Sequence, residues 1–201
     1  MRVPIPVRSA TRDDLPALLR LWMEAQDNWR RSDRGRLVEA PAAVATRLDE
    51  LLDDPQVQVV VATVDEEPAG MTILAPGVLG PLSEPSMLEM SYAVVASRFR
   101  HRGVGRALVA ATAAYAEELG YGSVIVNVPP ALRDANRFFA RLGFAPVVTR
   151  RAAPVAALRR LAADPGRRPV IDDRIRRRSR PAQGSLAMHE LRFATGRRQT
   201  G

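Results

Sequence analysis

Apolar residues recur along the chain in two periods. In Val7 to Ala10, Val57 to Val64, Ala69 to Leu74, Met87 to Val95 and Ser123 to Val128 they run or alternate over short stretches rich in β-branched residues, as strands do. Elsewhere the period lengthens. Leu15, Leu18, Leu19, Trp22 and Met23 fall on one face of a helix predicted to reach about Asn28. Thr11-Arg-Asp-Asp-Leu15-Pro16 marks its start, with a hydroxyl N-cap, acids in the first turn and proline just inside. Further helices are predicted over about Pro41 to Leu52, Val104 to Leu119 and Leu132 to Leu142, the last two closed by Gly120 and Gly143. Trp29 to Glu39 and Ala75 to Ser86 read as loops, Asp65 to Pro68 as a turn, and Phe144 to Arg151 as a last strand. The order β-α-α-β-β-β-α-β-α-β is that of an α/β (α+β) domain.

Residues 152–201 form an arginine- and proline-rich C-terminal extension. Val155 to Ala163 is helix-like, Asp164 to Arg180 carries prolines and the run Arg176-Arg-Arg178, and Ala187 to Phe193 reads as a short final strand. Three fates stand equal for it: crossing an acceptor site, exchanging with another subunit, or staying partly disordered.

Composition narrows the chemistry. The chain has 201 residues, enough for one domain with a real core. It has no cysteine, hence no disulfide, no thiol nucleophile and no thiolate metal site. Two histidines, His101 and His189, argue against a metal centre. No stretch suits a membrane span and the start lacks a signal-peptide pattern, so a cytoplasmic protein is expected. The net charge is +8 and is carried by arginine alone, with no lysine. Such usage reflects a GC-rich genome more than a binding role. It still favours anionic ligands, and arginine forks suit phosphate. A nucleic-acid role is disfavoured, because the arginine-rich tail has little aromatic interleaving and no reading motif.

Arg100-His101-Arg102-Gly103-Val104-Gly105-Arg106 is the most informative segment. It joins the Met87 to Val95 strand to a helix. Glycines one residue apart let backbone N–H groups converge on a ligand, and the helix start adds unpaired donors and a positive dipole end. The result is a pyrophosphate cradle ringed by Arg100, Arg102 and Arg106. It is not a Walker A loop, which needs lysine. It is not a dinucleotide fingerprint either, because Leu108 stands where the third glycine belongs. The competing reading is a glycine-bearing helix start that holds no ligand.

The pattern R-x-x-G-x-G resembles the acyl-CoA loop of the GNAT superfamily of N-acyltransferases. Downstream, Ala135-Asn136-Arg137-Phe138-Phe139-Ala-Arg-Leu142-Gly143-Phe144 is similar to that superfamily's second signature, A-x-x-(F/Y)-(F/Y)-x-x-x-G-F. The resemblance covers about residues 5–151. It implies a GNAT fold: a mixed sheet of six or seven strands with a splayed pair, flanked by about four helices. It also implies an N-acetyltransferase that moves the acetyl group of acetyl-CoA to a primary amine, either a protein lysine or a small-molecule amine, by direct attack in a ternary complex. The alternative is an acyl-CoA-binding sensor or structural module without turnover. A homodimer through the sheet edge or C-terminal strand is a further expectation.

The resemblance also assigns residues. Val95, counted back from the glycine loop, supplies the backbone N–H for the developing oxyanion. Arg100, His101, Arg102, Gly103, Val104, Gly105 and Arg106 hold the phosphates. Asn127 and Asn136 are candidates for the pantetheine amides or the acceptor, with turn or surface roles as the plain reading. Phe139 lies on the helix beside the pantetheine arm, where many relatives carry a tyrosine acid, and phenylalanine cannot donate a proton. Trp22, Trp29 and Met23 fall near the acceptor region of relatives. Glu89 is the candidate base. Strict alternation puts Glu89, Ser91, Ala93 and Val95 on one strand face, away from Met90, Tyr92 and Val94. Leu88 to Val95 also resembles the same strand of the lysine acetyltransferase branch, with Glu89 at its glutamate base. The plain reading is a carboxylate paired with arginine or facing solvent. Tyr92, Tyr115, Tyr121 and a water relay from Ser91 are the other proton-transfer candidates.

Overall fold

The computed structural model describes residues 4–32, 40–80, 82 and 86–162. Strand β1 (Val7–Ser9) leads through a 3-10 turn at Arg12–Asp14 into helix α1 (Leu15–Ser32). Helix α2 (Pro41–Asp53) follows, with Pro41 in the first turn where its missing N–H costs nothing. Then come β2 (Gln58–Val64), β3 (Glu67–Gly77), β4 (Met87–Val95), α3 (Val104–Glu118), β5 (Ser123–Val126) and α4 (Arg133–Arg141). The strands form one sheet in the order β1-β2-β3-β4-β5. All neighbours are antiparallel except β4 and β5, which are parallel across α3. The β2–β3 hairpin closes on Asp65 and Glu66, both at positive φ, as a two-residue turn matching the strand twist requires.

The sheet is covered on both faces. A Cβ on Gly70 would lie 2.7 Å from the Val94 carbonyl oxygen and 2.9 Å from Cγ1 of Val104. Only glycine lets α3 approach this closely, and Val104 and Leu108 fill the space. The opposite face, carrying Met71, Ile73 and Val94, is also buried, and α1 contacts the same two strands, β3 and β4. In α1 the buried stripe is Ala17, Leu18, Leu21, Trp22 and Ala25; Met23, expected on that stripe, is 45% exposed. The true stripe follows the i, i+3, i+4 spacing from Leu18, and Met23 falls beside it.

The entry to α1 is fixed by charge. The guanidinium of Arg8 donates to both oxygens of Asp14 at 2.7 and 2.8 Å, and the Thr11 N–H donates to Asp14 Oδ2 at 2.8 Å. The Arg8 hydrogen bond, opposed by burial and helped by Thr11, holds the Asp14 carboxyl at about 2.

Two expectations are corrected. β3 extends to Gly77, into the segment expected to be loop. Phe144 to Arg151 forms no strand: residues 144–150 are irregular, with Val147 67% and Val148 54% exposed. Pro146 cannot donate to a ladder, and β5 has no outer neighbour among the described residues. The sheet of the described residues therefore has five strands rather than six or seven.

Residues 150–201 cluster as a second unit, in which α5 (Val155–Ala162) is the described element. Its Val155 and Leu158 are exposed. The expected arginine-rich segment from Asp164 to Arg180 and the strand from Ala187 to Phe193 lie outside the described residues. No helix of the described residues is long and apolar enough to cross a membrane.

Candidate active site

Strand β4 organises the site, and an irregularity in it decides what faces what. Ile73 pairs with Ser91 but Met71 pairs with Val94, so Thr72 stands opposite both Tyr92 and Ala93. This is a β-bulge. Tyr92 takes φ of +50°, a left-handed conformation that is strained for a bulky residue. The hydroxyl of Thr72, fully buried, donates to the Ser91 carbonyl at 2.9 Å and pins the bulge.

Partners across a ladder share a face. Glu89 opposite Ala75, Ser91 opposite Ile73 and Val94 opposite Met71 therefore lie on one face. Met90 opposite Leu74 and Val95 opposite Gly70 lie on the other, against α3. Strict alternation had grouped Val95 with Glu89 and Val94 with Met90; the extra residue reverses both placements. It also carries Tyr92 toward α1, where its ring meets Trp29 at 6.2 Å between centroids.

The bulge coincides with the end of the β4–β5 ladder. β5 pairs with β4 only from Met87 to Met90, and Val126 is its last paired residue. From Ser91 to Val95 the β5-side edge of β4 has no strand beside it among the described residues, which is the splay. The Ala96 N–H donates to Ala69 in β3 at 2.9 Å. Successive strand N–H groups point to opposite edges, so the Val95 N–H turns into the opening.

Beyond β4, a 3-10 turn at Ser97–Phe99 leads into the glycine loop. His101 and Gly103 take φ of +61° and +100°, and Gly103 is the N-cap of α3. Left-handed residues before a helix start turn consecutive N–H groups inward, as an anion nest does. Arg100, Arg102 and Arg106 are exposed and form no ion pair among the described residues. Arg102 is steadied over the Phe99 ring at 5.6 Å. Val104 is different: its side chain is core, so only its backbone is available to a ligand.

Glu24 of α1 is a residue that sequence reasoning missed. Its Oε1 accepts the Ser97 N–H at 2.6 Å, tying α1 to the base of the loop. Burial works against its charge, yet the Ser97 hydrogen bonds, with Arg100 and Arg98 nearby, hold its carboxyl below the usual range. The contact spans 73 positions, and no local pattern announces it.

Glu89 is partly buried, and no arginine pairs with it among the described residues. Its Oε1 accepts from Ser91 Oγ at 2.8 Å and from Asn127 Nδ2 at 2.7 Å. Asn136 donates to the carbonyls of Pro129 and Leu132, both at 2.9 Å, and so secures the loop before α4. Phe139 is buried edge-on against Phe138 and Phe144, at 5.1 and 5.3 Å. Its ring is a core element. Tyr115 and Tyr121 pack against the core, whereas Tyr92 is 43% exposed.

The residues fit a CoA-type ligand. Unpaired arginines and inward N–H groups suit phosphates, and an unladdered strand edge suits an extended amide-bearing arm. Comparison with known proteins agrees. A family model described as the Acetyltransferase (GNAT) family matches residues 16–144. The chain belongs to this family of acetyltransferases, which use acetyl-CoA as acyl donor. Among solved structures, a transcriptional regulator from Bacillus halodurans C-125 is similar at 24% identity, covering 75% of this chain and 99% of that one, with a TM-score of 0.61. An aminoglycoside N-acetyltransferase in complex with CoA aligns at 17% identity over 74% of this chain and 94% of that one, with a TM-score of 0.57. A ribosomal-protein-alanine N-acetyltransferase from Brucella melitensis biovar Abortus 2308 aligns at 19% identity over 75% and 99%, with a TM-score of 0.57. At these identities the likeness speaks for the fold. No curated protein sequence matches the chain.

Proposed function

We propose that the protein transfers the acetyl group of acetyl-CoA to a primary amine, a protein lysine or a small-molecule amine, by direct attack, with Glu89 as the base. The observation that carries this reading is Glu89 itself: a carboxylate on the strand that borders the splay, paired with no arginine among the described residues of an arginine-rich chain. An ion-paired carboxylate would be a structural element; this one is held by neutral donors instead.

Acetyl-CoA supplies an activated thioester carbonyl. The chain supplies the rest. Arg100, His101, Arg102 and Arg106, with the backbone of Gly103, Val104 and Gly105, bind the phosphates. The Val95 N–H donates to the carbonyl oxygen as charge grows there. Glu89 accepts a proton from the amine as the nitrogen attacks. With phenylalanine at position 139, the tyrosine that donates a proton to the leaving thiolate in many relatives is missing from α4, and Tyr92, Tyr115 and Tyr121 are the remaining tyrosines.

The test is thiol release from acetyl-CoA across a panel of amines and lysine peptides, for the wild type and Glu89→Gln. Turnover that collapses in the variant at neutral pH supports the reading. Acetyl-CoA binding with no turnover on any acceptor points to the non-catalytic module. Full activity in the variant removes Glu89 from the chemistry.

A further inference from the structure

We infer that Asn127 is a positioning residue for Glu89, fixing which carboxylate oxygen meets the acceptor. The inference rests on the reading of Glu89 as base. Asn127 follows Val126, the last residue of β5 paired with β4, so it stands at the vertex where the two strands part. From there its Nδ2 reaches Glu89 Oε1 at 2.7 Å, across 38 positions of sequence. Ser91 Oγ donates to the same oxygen at 2.8 Å from the neighbouring position on the same face.

Two donors on one oxygen define the plane of the carboxylate. Oε1 is occupied, and Oε2 accepts no hydrogen bond among the described residues. The side chain thus presents one free oxygen, in one orientation, at the mouth of the splay. The donors are an amide and a hydroxyl, both neutral, so the carboxylate is oriented without a cation beside it. Ser91 is itself immobilised, because its carbonyl accepts the buried Thr72 hydroxyl. Asn127 is exposed, and its contribution to the core is small. Its amide is committed to Glu89, which distinguishes it from a residue that grips the pantetheine arm.

The test is a double-mutant cycle with Asn127→Ala, Glu89→Gln and the pair, in the full chain. Turnover is followed with acetyl-CoA and two acceptors, n-butylamine and a lysine tripeptide; if neither reacts, hydrolysis of acetyl-CoA by water is the readout. Thermal midpoints confirm that each variant is folded. The expected result is a roughly tenfold fall in kcat for Asn127→Ala, with KM for acetyl-CoA within about twofold of wild type. In the Glu89→Gln background, Asn127→Ala changes kcat by less than about twofold, because the base it positions is gone. A raised KM for acetyl-CoA with unchanged kcat overturns the inference and makes Asn127 a donor-binding residue. Multiplying effects of the two substitutions also overturn it, while leaving Glu89 as base. Full activity in Glu89→Gln alone overturns the base assignment, and this inference with it.

Discussion

A Cβ added to Gly105 would lie 3.1 Å from Cζ of Phe138. The two residues belong to the two segments by which the sequence is recognised, one opening α3 and the other inside α4. The second glycine of the loop is therefore shaped by helix packing as much as by a ligand. Phe138 has little room to yield, because its ring stands edge-on to Phe139 at 5.1 Å. Gly105→Ala gains helix propensity of up to about 1 kcal/mol, but the clash outweighs it, at roughly 1–3 kcal/mol. The expected outcome is a thermal midpoint several degrees lower, with a raised KM for acetyl-CoA. Adding Phe138→Leu restores most of the midpoint. A Gly105→Ala variant as stable as wild type refutes the packing argument.

Asp14 links stability to acid. Its folded carboxyl titrates at about 2, below the ordinary 3.8, chiefly because Arg8 hydrogen-bonds it. A depressed carboxyl stabilises the fold above the unfolded value and loses that contribution as pH falls through the folded one. The contribution is about 2 kcal/mol at neutral pH. Asp14→Asn lowers urea-unfolding stability at pH 7 by about that amount, and the variant shows a weaker decline than wild type between pH 4 and pH 2.

Glu89→Gln is expected to reduce kcat at pH 7 by about a hundredfold or more, the usual scale for a lost general base. The deficit narrows as pH rises and the amine acceptor loses its own proton. A pH–rate series for both proteins checks this, and a deficit constant from pH 7 to pH 10 counts against proton abstraction.

Arg100→Gln and Arg106→Gln remove charges that form no ion pair among the described residues, though Arg100 also lies near Glu24. Each is expected to raise KM for acetyl-CoA by about tenfold, the scale of a lost charge-assisted hydrogen bond. The thermal midpoint stays within about a degree or rises, because excess positive charge is relieved. Wild-type binding weakens with salt, and each variant shows a shallower dependence. Calorimetric titration at two ionic strengths reads both effects.

Thr72→Val keeps the side-chain shape and removes the hydroxyl that pins the bulge. Ser91 is left with a carbonyl lacking its buried donor. A loss of about 1–3 kcal/mol is expected, together with a fall in kcat, since Ser91 holds Glu89. Equal stability in urea unfolding would show that the bulge needs no pin.

Much of this was legible in the sequence. β-branched runs located β1, β2, β4 and β5, and the 3.6-residue period located α1 to α4, with glycine stops for α3 and α4, because those patterns are local. The loop was legible for the same reason: Gly103 and its neighbours announce a backbone geometry that few other residues tolerate. The bulge was not, since Ser91-Tyr92-Ala93-Val94 contains no glycine or proline to mark the change of register. It appears only when Thr72 on the neighbouring strand faces two residues. The contacts of Glu24 with Ser97 and of Asn127 with Glu89 were hidden in the same way, by separation along the chain. Phe144 to Arg151 misled in the opposite direction: its apolar run resembles a strand, but a strand also needs a partner edge.

The bulge at Tyr92 has a bearing on how this strand can change. A single inserted residue acts as a phase shift, giving β4 two halves that answer to different neighbours. Upstream of it, Glu89 and Ser91 can be exchanged without disturbing the parity of Val95 and the loop that follows. Deleting Tyr92 would leave a regular strand in which Ala93 alone faces Thr72, while Ser91, Val94 and Val95 keep their partners and their faces. For this chain, loss of a residue there takes away the kink and the Tyr92 ring and leaves the register of the chemistry-bearing positions whole.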